Sequence, residues 1–321
     1  MKRIAVMTSG GDAPGMNPAI RSVVRSAIAK NIEVFGIRQA YAGLLGGDFE
    51  RLANREVSGI LQRGGTILQT ARNDEFKTPQ GQRKGLRRLN EQEIDGLICI
   101  GGDGSLRGAL ELHKLGFPVV GIPGSIDNDI WGTNMSIGVD TALNTILDAL
   151  DRLRDTASSH GRAFLIEVMG RKCGYLALMS GILGGAELTM IPERDIELDE
   201  VASRLEGAYM RGKNHAIAVI AEGANHNINE VADFLNSHNV GFEVRITILG
   251  HIQRGGSPSA FDRLLATRMG VKAVECLCDG TYGVMVGLSG RDILPVPLED
   301  VAGKTRSANL EYYDLAEILS R

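Results

Sequence analysis

Cysteine is scarce in this chain, with Cys99, Cys173, Cys276 and Cys278 the only four among 321 residues. No CxxC pair occurs and no spacing matches a zinc site. That argues against a disulfide scaffold, a structural zinc or a dithiol redox centre, and the thiols read as reduced, packed side chains. Long apolar runs are missing too. No stretch reaches the roughly 20 apolar residues of a membrane helix, and none reads as a secretion signal. The chain runs directly into a strand-like Ile4-Ala5-Val6-Met7. The expectation is a cytoplasmic protein without a membrane partner. A basic excess is absent as well: the formal net charge is −4, which argues against a nucleic-acid partner. A phosphorylated substrate needs only a few local cations, so the total does not exclude one.

What is present is an ordinary globular composition, 43% hydrophobic and 23% charged, over a length that predicts two domains. Short apolar runs at Ile4–Met7, Val34–Ile37, Leu97–Ile100 and Val119–Ile122 read as strands. Between the first two, Ile20, Val23, Val24, Ala27 and Ile28 recur at helical spacing, with Asn17 as a plausible N-cap and Pro18 at the first helical position. Strand–helix–strand order predicts a parallel sheet with right-handed crossovers. A second set follows Gly138. Ala142, Ile146, Leu150 and Leu153 mark a helix to about Ser158. Strands are read at Phe164–Met169, Thr189–Ile191, Ala216–Ala221 and Ile246–Leu249, with helices near 174–183 and 198–211.

The 41 glycines concentrate at strand–helix junctions, where open α/β sheets carry ligand loops. Three such loops stand out. Thr8–Asn17 joins a strand to a helix, so its backbone N–H groups and the helix dipole favour an anion. It is not a Walker A loop, since GxxxxGK[ST] occurs nowhere in the chain. Gly101–Ser105 is a second phosphate cradle, with Asp103 placed to hold Mg²⁺ or, more plainly, to cap a helix. Gly124–Asp129 carries Asp127 and Asp129 on either side of Asn128. In an extended segment both point to one side, where an ionised carboxylate can take a proton from a sugar hydroxyl; an Asx turn is the plainer use. In the second half, Arg171 after one strand and His251 and Arg254 after another are candidate phosphate ligands. Glu222 follows Ala216–Ala221 as a candidate acceptor for sugar hydroxyls, and Arg21 and Arg25 lie on neighbouring turns of the first helix.

Thr8–Asn17, Gly101–Ser105, Gly124–Asp129, Met169–Arg171 and Gly250–Pro258 together resemble the bacterial ATP-dependent 6-phosphofructokinase family, in order and spacing and over nearly the whole chain. The resemblance implies two Rossmann-like three-layer α/β/α domains with mostly parallel sheets. The larger, ATP-binding one would take 1–138 plus about 253–305, and the smaller, sugar-phosphate-binding one about 139–252 plus 306–321. It implies γ-phosphoryl transfer from ATP to fructose 6-phosphate. Gly11, Tyr41, Arg72, Gly102, Gly104, Ser105 and Gly108 match its ATP positions and Asp103 its Mg²⁺ position. Asp127 matches the base, flanked by Ser125 and Asp129, with Arg72 and Arg171 offsetting charge on the moving group. Met169, Gly170, Glu222, His251 and Arg254 match sugar-phosphate contacts. Arg162 and Arg245 match contacts made from a neighbouring subunit, which implies a homotetramer. Arg21, Arg25, Arg154, Gly185, Glu187, Arg211, Lys213 and His215 match positions that bind ADP or phosphoenolpyruvate as effectors.

Departures bear on this. Ser125 stands where the family usually has Thr, keeping the hydroxyl but losing the methyl that restricts its rotamer. Lys77 replaces a frequent Arg. Asn54 and Asn214 replace frequent cations of the effector site, where each lost charged hydrogen bond weakens anion binding by about 1.5–3 kcal/mol. Pyrophosphate-dependent relatives typically carry Asp at 104 and Lys at 124; both are Gly here. The alternatives are such a pyrophosphate enzyme and a catalytically silent nucleotide sensor on the same fold. Intact Asp103, Asp127 and Arg171 weigh against the second.

Overall fold

Ile4, Ala5, Val6 and Met7 are all fully buried, as are Leu97 through Ile100. A strand buried on both faces must be covered on both faces, which is the condition of a parallel sheet between helices. The computed structural model describes residues 1–319. They divide into two compact units: Met1–Ile126, Ile130–Thr141 and Arg254–Thr305 form the first, and Asp127–Asp129, Ala142–Gln253 and the residues from Arg306 form the second.

The first unit opens with β1 (Arg3–Ser9), α1 (Met16–Ala29), β2 (Glu33–Ile37), α2 (Ala40–Gly46), β3 (Phe49–Leu52), α3 (Pro79–Glu91), β4 (Gly96–Gly101), α4 (Asp103–Lys114) and β5 (Val119–Pro123). The long α5 (Val139–His160) begins in this unit and continues in the second. There follow β6 (Arg162–Val168), α6 (Tyr175–Leu183), β7 (Leu188–Met190), α7 (Leu198–Met210), β8 (Ala216–Ala221), α8 (Ile228–His238) and β9 (Glu243–Ile248). The chain returns to the first unit for α9 (Ala260–Cys278), β10 (Val284–Ser289), β11 (Asp292–Pro297) and α10 (Leu298–Val301), and α11 (Leu310–Leu319) belongs to the second.

The first sheet has the order β11-β10-β5-β4-β1-β2-β3; its five inner strands run parallel and the two edge strands antiparallel. Ala5, Met7, Leu97 and Cys99 enter one core with Leu44, Leu89, Leu106 and Leu298 from α2, α3, α4 and α10. The alternate residues Ile4, Val6, Ile98 and Ile100 are equally buried on the other face. There α1 and α9 cross closely. A Cβ on Gly270 would stand 1.9 Å from Ser22 Oγ, and that hydroxyl donates to Ala19 O and Ala266 O. The second sheet, β7-β8-β6-β9, is entirely parallel. Ala163, Leu165, Ala218 and Ile220 face a core shared with Val201, Leu205, Val231 and Leu235 of α7 and α8. Truncating one such buried Leu or Ile to Ala costs about 2–5 kcal/mol. Mainly parallel sheets in two α/β units agree with the fold class that the resemblance implies.

One local expectation fails. Asn17 does not cap α1. Gly15 does, at φ 115, a backbone conformation glycine alone adopts cheaply. Asn17 sits inside the first turn, and its amide is put to another use: Nδ2 donates to Arg63 O and Gly64 O, and Oδ1 accepts from Ile67 N–H at 2.8 Å. No helix among the described residues is long and apolar enough to cross a membrane.

Candidate active site

Three neighbouring parallel strands, β1, β4 and β5, are in register to their last residues, with Ser9 opposite Gly101 and Gly101 opposite Pro123. Their carboxyl ends therefore deliver three loops side by side. Gly124 N–H donates to Gly101 O at 3.0 Å. A Cβ on Gly10 would lie 3.2 Å from Ser105 Oγ, and one on Gly102 would lie 3.9 Å from Ser125 Cβ. Gly11, Gly102, Gly104, Ser105, Gly108 and Ser125 are thus gathered within the first unit. Thr70 Oγ1 donates to Gly10 O at 2.8 Å, so the segment leading to the exposed Arg72 is tied to the same loops. Arg254 joins them as well. Its Nη1 donates to Asp12 O at 3.4 Å, and a Cβ on Gly11 would meet that nitrogen at 2.2 Å.

Tyr41 is buried rather than open to a ligand. Its hydroxyl donates to Ser105 O at 2.6 Å and its ring stacks on Phe76 with centroids 4.0 Å apart. Burial holds the phenol well above its usual range and pushes the neighbouring Cys99 thiol up to about 12. Tyr41 braces the start of α4 from beneath, and Gly108 leaves room for its ring, which a Cβ would meet at 2.6 Å.

Asp103 is the first residue of α4, capped by Gly102. Its Oδ2 pairs with Arg107 at 2.7 Å and its Oδ1 accepts from Gly303 N–H at 3.0 Å. Among the described residues, no group of three or more His, Cys, Asp or Glu forms a ready-made metal cage. A single carboxylate still fits Mg²⁺, which is held by one or two carboxylates plus substrate phosphates and keeps several waters. The half-exposed Arg107 must then release Oδ2, and an exposed pair of this kind contributes only about 0–1 kcal/mol.

The loop of Asp127–Asp129 corrects a second expectation. Asn128 has φ 52, so the segment is not extended and strand alternation does not set where the two carboxylates point. Asn tolerates this left-handed conformation better than most residues. Asp127 and Asp129 are both half-buried.

The second sheet repeats the geometry of the first. Val168 stands opposite Ala221, and Glu167 opposite Ile248, so the residues after β6, β8 and β9 cluster. Glu222 N–H donates to Val168 O, and Glu222 Oε1 lies 3.3 Å from Arg171 Nε and 3.5 Å from Gly170 N. Arg171 is otherwise largely exposed. Gly223 allows this approach, since a Cβ there would stand 2.1 Å from Arg171 O. Burial raises the Glu167 carboxyl, and the charge of Glu222 adds to it. Gln253, which sequence reasoning passed over between His251 and Arg254, is fully buried. Its Oε1 accepts from Met169 N–H at 3.1 Å and its Nε2 donates to Gly250 O at 3.0 Å. His251 is exposed beside it.

Arg162 and Arg245 flank Glu243 on β6 and the edge strand β9. Arg162 Nε lies 2.7 Å from Glu243 Oε2, and Arg245 pairs with Oε1. Of the candidate effector residues, five meet in the second unit. Arg154 donates to Gly184 O, to Gly185 O at 3.3 Å and toward His215 Nε2 at 3.5 Å. Lys213 Nζ reaches the buried Glu187 at 3.2 Å. Asn214 Oδ1 faces His215 Nδ1 at 2.8 Å. Arg211 ends α7 nearby in sequence, and Arg21 and Arg25 lie on α1 in the first unit.

A sequence profile of the phosphofructokinase family matches residues 3–277. The chain is 52% identical over 320 residues to the ATP-dependent 6-phosphofructokinase of Halalkalibacterium halodurans, with both chains covered in full. The chain belongs to the phosphofructokinase family. It is also 51% identical over 321 residues to the Thermotoga neapolitana protein of the same name, again over the full length of both. Among solved structures, the phosphofructokinase of Saccharomyces cerevisiae superposes with a TM-score of 0.88 at 38% identity, covering 99% of this chain and 46% of the yeast one. The profile spans all five loops whose order and spacing resemble this family, from Thr8–Asn17 to Gly250–Pro258.

Proposed function

We propose that this phosphofructokinase-family chain transfers the γ-phosphoryl group of ATP to the 1-hydroxyl of fructose 6-phosphate, giving fructose 1,6-bisphosphate and ADP, a step of glycolysis. The observation that carries the reading is the full-length identity of about half to bacterial proteins named for that reaction. Position 104 supports ATP over pyrophosphate: Gly104 leaves open space at the start of α4, with nothing beyond its own turn of helix within 4 Å of where a Cβ would be.

In this reading the nucleotide is held by residues of the first unit. Backbone N–H groups at Gly11, Gly102 and Gly104 line the phosphates with the Ser105 side chain, Gly108 and the buried Tyr41 stand behind them, and Arg72 adds positive charge. Asp103 would hold Mg²⁺ together with the phosphates, and the ion would supply charge neutralisation there. Asp127 accepts the proton of the 1-hydroxyl as attack proceeds, and Ser125 and Asp129 orient that hydroxyl. Arg171, beside Glu222, stabilises charge on the transferring group. Met169, Gly170, Glu222, His251 and Arg254 bind the sugar phosphate, with Gln253 fixing the Met169 amide.

Arg162 and Arg245 act on the sugar phosphate of a neighbouring protomer, and the working form is a homotetramer acting in the cytoplasm. Arg154, Gly185, Glu187, Arg211, Lys213 and His215, with Arg21 and Arg25, form a site for ADP or phosphoenolpyruvate, weakened by Asn54 and Asn214. The test is a coupled assay of fructose 6-phosphate with ATP or pyrophosphate, run with and without both effectors. Turnover with ATP, reduced at least ~100-fold by Asp127→Asn, is the expected result. Turnover with pyrophosphate alone, or binding of both substrates without turnover, overturns it.

A further inference from the structure

We propose that Glu193 is a positioning residue for phosphoryl transfer, holding the C-terminal strap 305–308 that in turn fixes the backbone of the Asp127–Asp129 loop. The inference rests on the reading in which Asp127 takes the hydroxyl proton. Glu193 lies in the turn after β7, closed by a bridge between Ile191 and Arg194. Its Oε1 accepts from Ala308 N–H at 2.7 Å, and both carboxylate oxygens accept from Gly174 N–H at 3.0 Å. Two residues before Ala308, Arg306 N–H donates to Asp129 O at 2.8 Å, and Thr305 bridges Ile130. One carboxylate thus holds two segments that adjoin those named above for substrate. The strap leads to Asp127–Asp129, and Gly174 ends the run from Met169 through Arg171.

The local sequence is built for this contact. A Cβ on Gly174 would stand 2.4 Å from Ile191 Cβ and 2.8 Å from Glu193 Oε2, so only glycine brings its N–H to the carboxylate. Cys173, itself buried, registers the same neighbourhood: Glu193, Asp129 and Arg306 all act on its thiol, which burial chiefly pushes up to about 12. The helix that follows the strap is anchored from the next residue of the turn. Arg194 lies 3.5 Å from Glu317 and 3.8 Å from Asp314, and stacks 4.4 Å above the ring of Tyr313, all on α11. Arg204 of α7 reinforces Glu317 at 2.7 Å. A carboxylate that served only to cap α6 would cost stability on removal and leave the chemical step alone.

The experiment compares Glu193→Gln and Glu193→Ala in the full-length enzyme, each alone and combined with Asp127→Asn, by steady-state kinetics with ATP and fructose 6-phosphate. The expected result is a kcat lowered about 5- to 20-fold by Glu193→Gln, and further by Glu193→Ala, with the KM for ATP within about twofold. In the Asp127→Asn background the same substitutions should lower kcat by less than about twofold, because the group being positioned is gone. Hydrogen exchange at the Arg306 amide should quicken at least about tenfold in Glu193→Gln, a readout that does not need Glu193→Ala to fold. Equal losses of kcat in both backgrounds, or unchanged exchange at Arg306, overturn the proposal. If Asp127→Asn alone keeps its turnover, the role of Asp127 is wrong, and exchange at Arg306 decides the strap by itself.

Discussion

Gly104→Ala separates what the fold asks of a glycine from what a ligand asks. At two neighbouring glycines the fold itself makes the demand. A Cβ on Gly101 would stand 2.3 Å from Ser9 O, and one on Gly108 would enter the ring of Tyr41. Gly104 has no such neighbour, and it is the second residue of α4. Alanine there relieves the entropic cost of glycine in a helix, about 0.5–1 kcal/mol. For a chain of this length that raises the melting temperature by about 1–1.5 °C at most. If the loop cradles nucleotide phosphates, the added methyl instead takes space the nucleotide needs. Misfits of one such group cost about 1–3 kcal/mol, which is a rise of about 5- to 150-fold in the KM for ATP. The KM for fructose 6-phosphate should stay within about twofold. Calorimetry of the unliganded protein and a coupled assay at varied ATP measure both halves. A variant that melts no lower and has an unchanged KM for ATP refutes the nucleotide assignment. One that melts several degrees lower refutes the claim that the fold leaves this position open.

Arg254→Ala should raise the KM for fructose 6-phosphate by about 10- to 150-fold, the loss of one charged hydrogen bond, with kcat little changed. A fall in kcat at constant KM contradicts the binding role. Asp262 yields a prediction about pH. Its buried carboxylate accepts from Gly138 N–H, Thr141 N–H and Thr141 Oγ1 and so caps α5 from α9. Burial raises it from 3.8 to about 6 despite those donors. A raised carboxyl favours the proton in the folded state. Its contribution to stability is therefore full below pH 3.8 and lost as pH rises through about 6, a difference of at most about 3 kcal/mol. The melting advantage of the native protein over Asp262→Asn should accordingly be larger at pH 4.5 than at pH 7; equal differences at the two values would falsify the assignment.

The parts of this molecule that were legible in its sequence share one property: the cause is local. Ala216–Ala221 reads as a buried strand from six consecutive apolar residues, and the structure has it with the same ends. β9 is different. Only Ile246 and beyond reads as strand, yet pairing begins at Glu243, because an edge strand alternates exposed charge with buried Val244. The glycine loops were legible because glycine marks a backbone demand at its own position, although the sequence alone does not tell a demand of packing at Gly108 from the open space at Gly104. Asn128 shows the limit of local rules, since a left-handed residue cancels the alternation on which the reading of its two neighbours relied. Glu193, Gln253 and Asp262 lay beyond reach for a firmer reason. Each is one polar residue that accepts from backbone amides 19 to 124 positions away, and no periodicity or spacing encodes such a partner. A buried polar side chain must find hydrogen bonds somewhere, so its presence in an apolar stretch announces a long-range contact without saying to what.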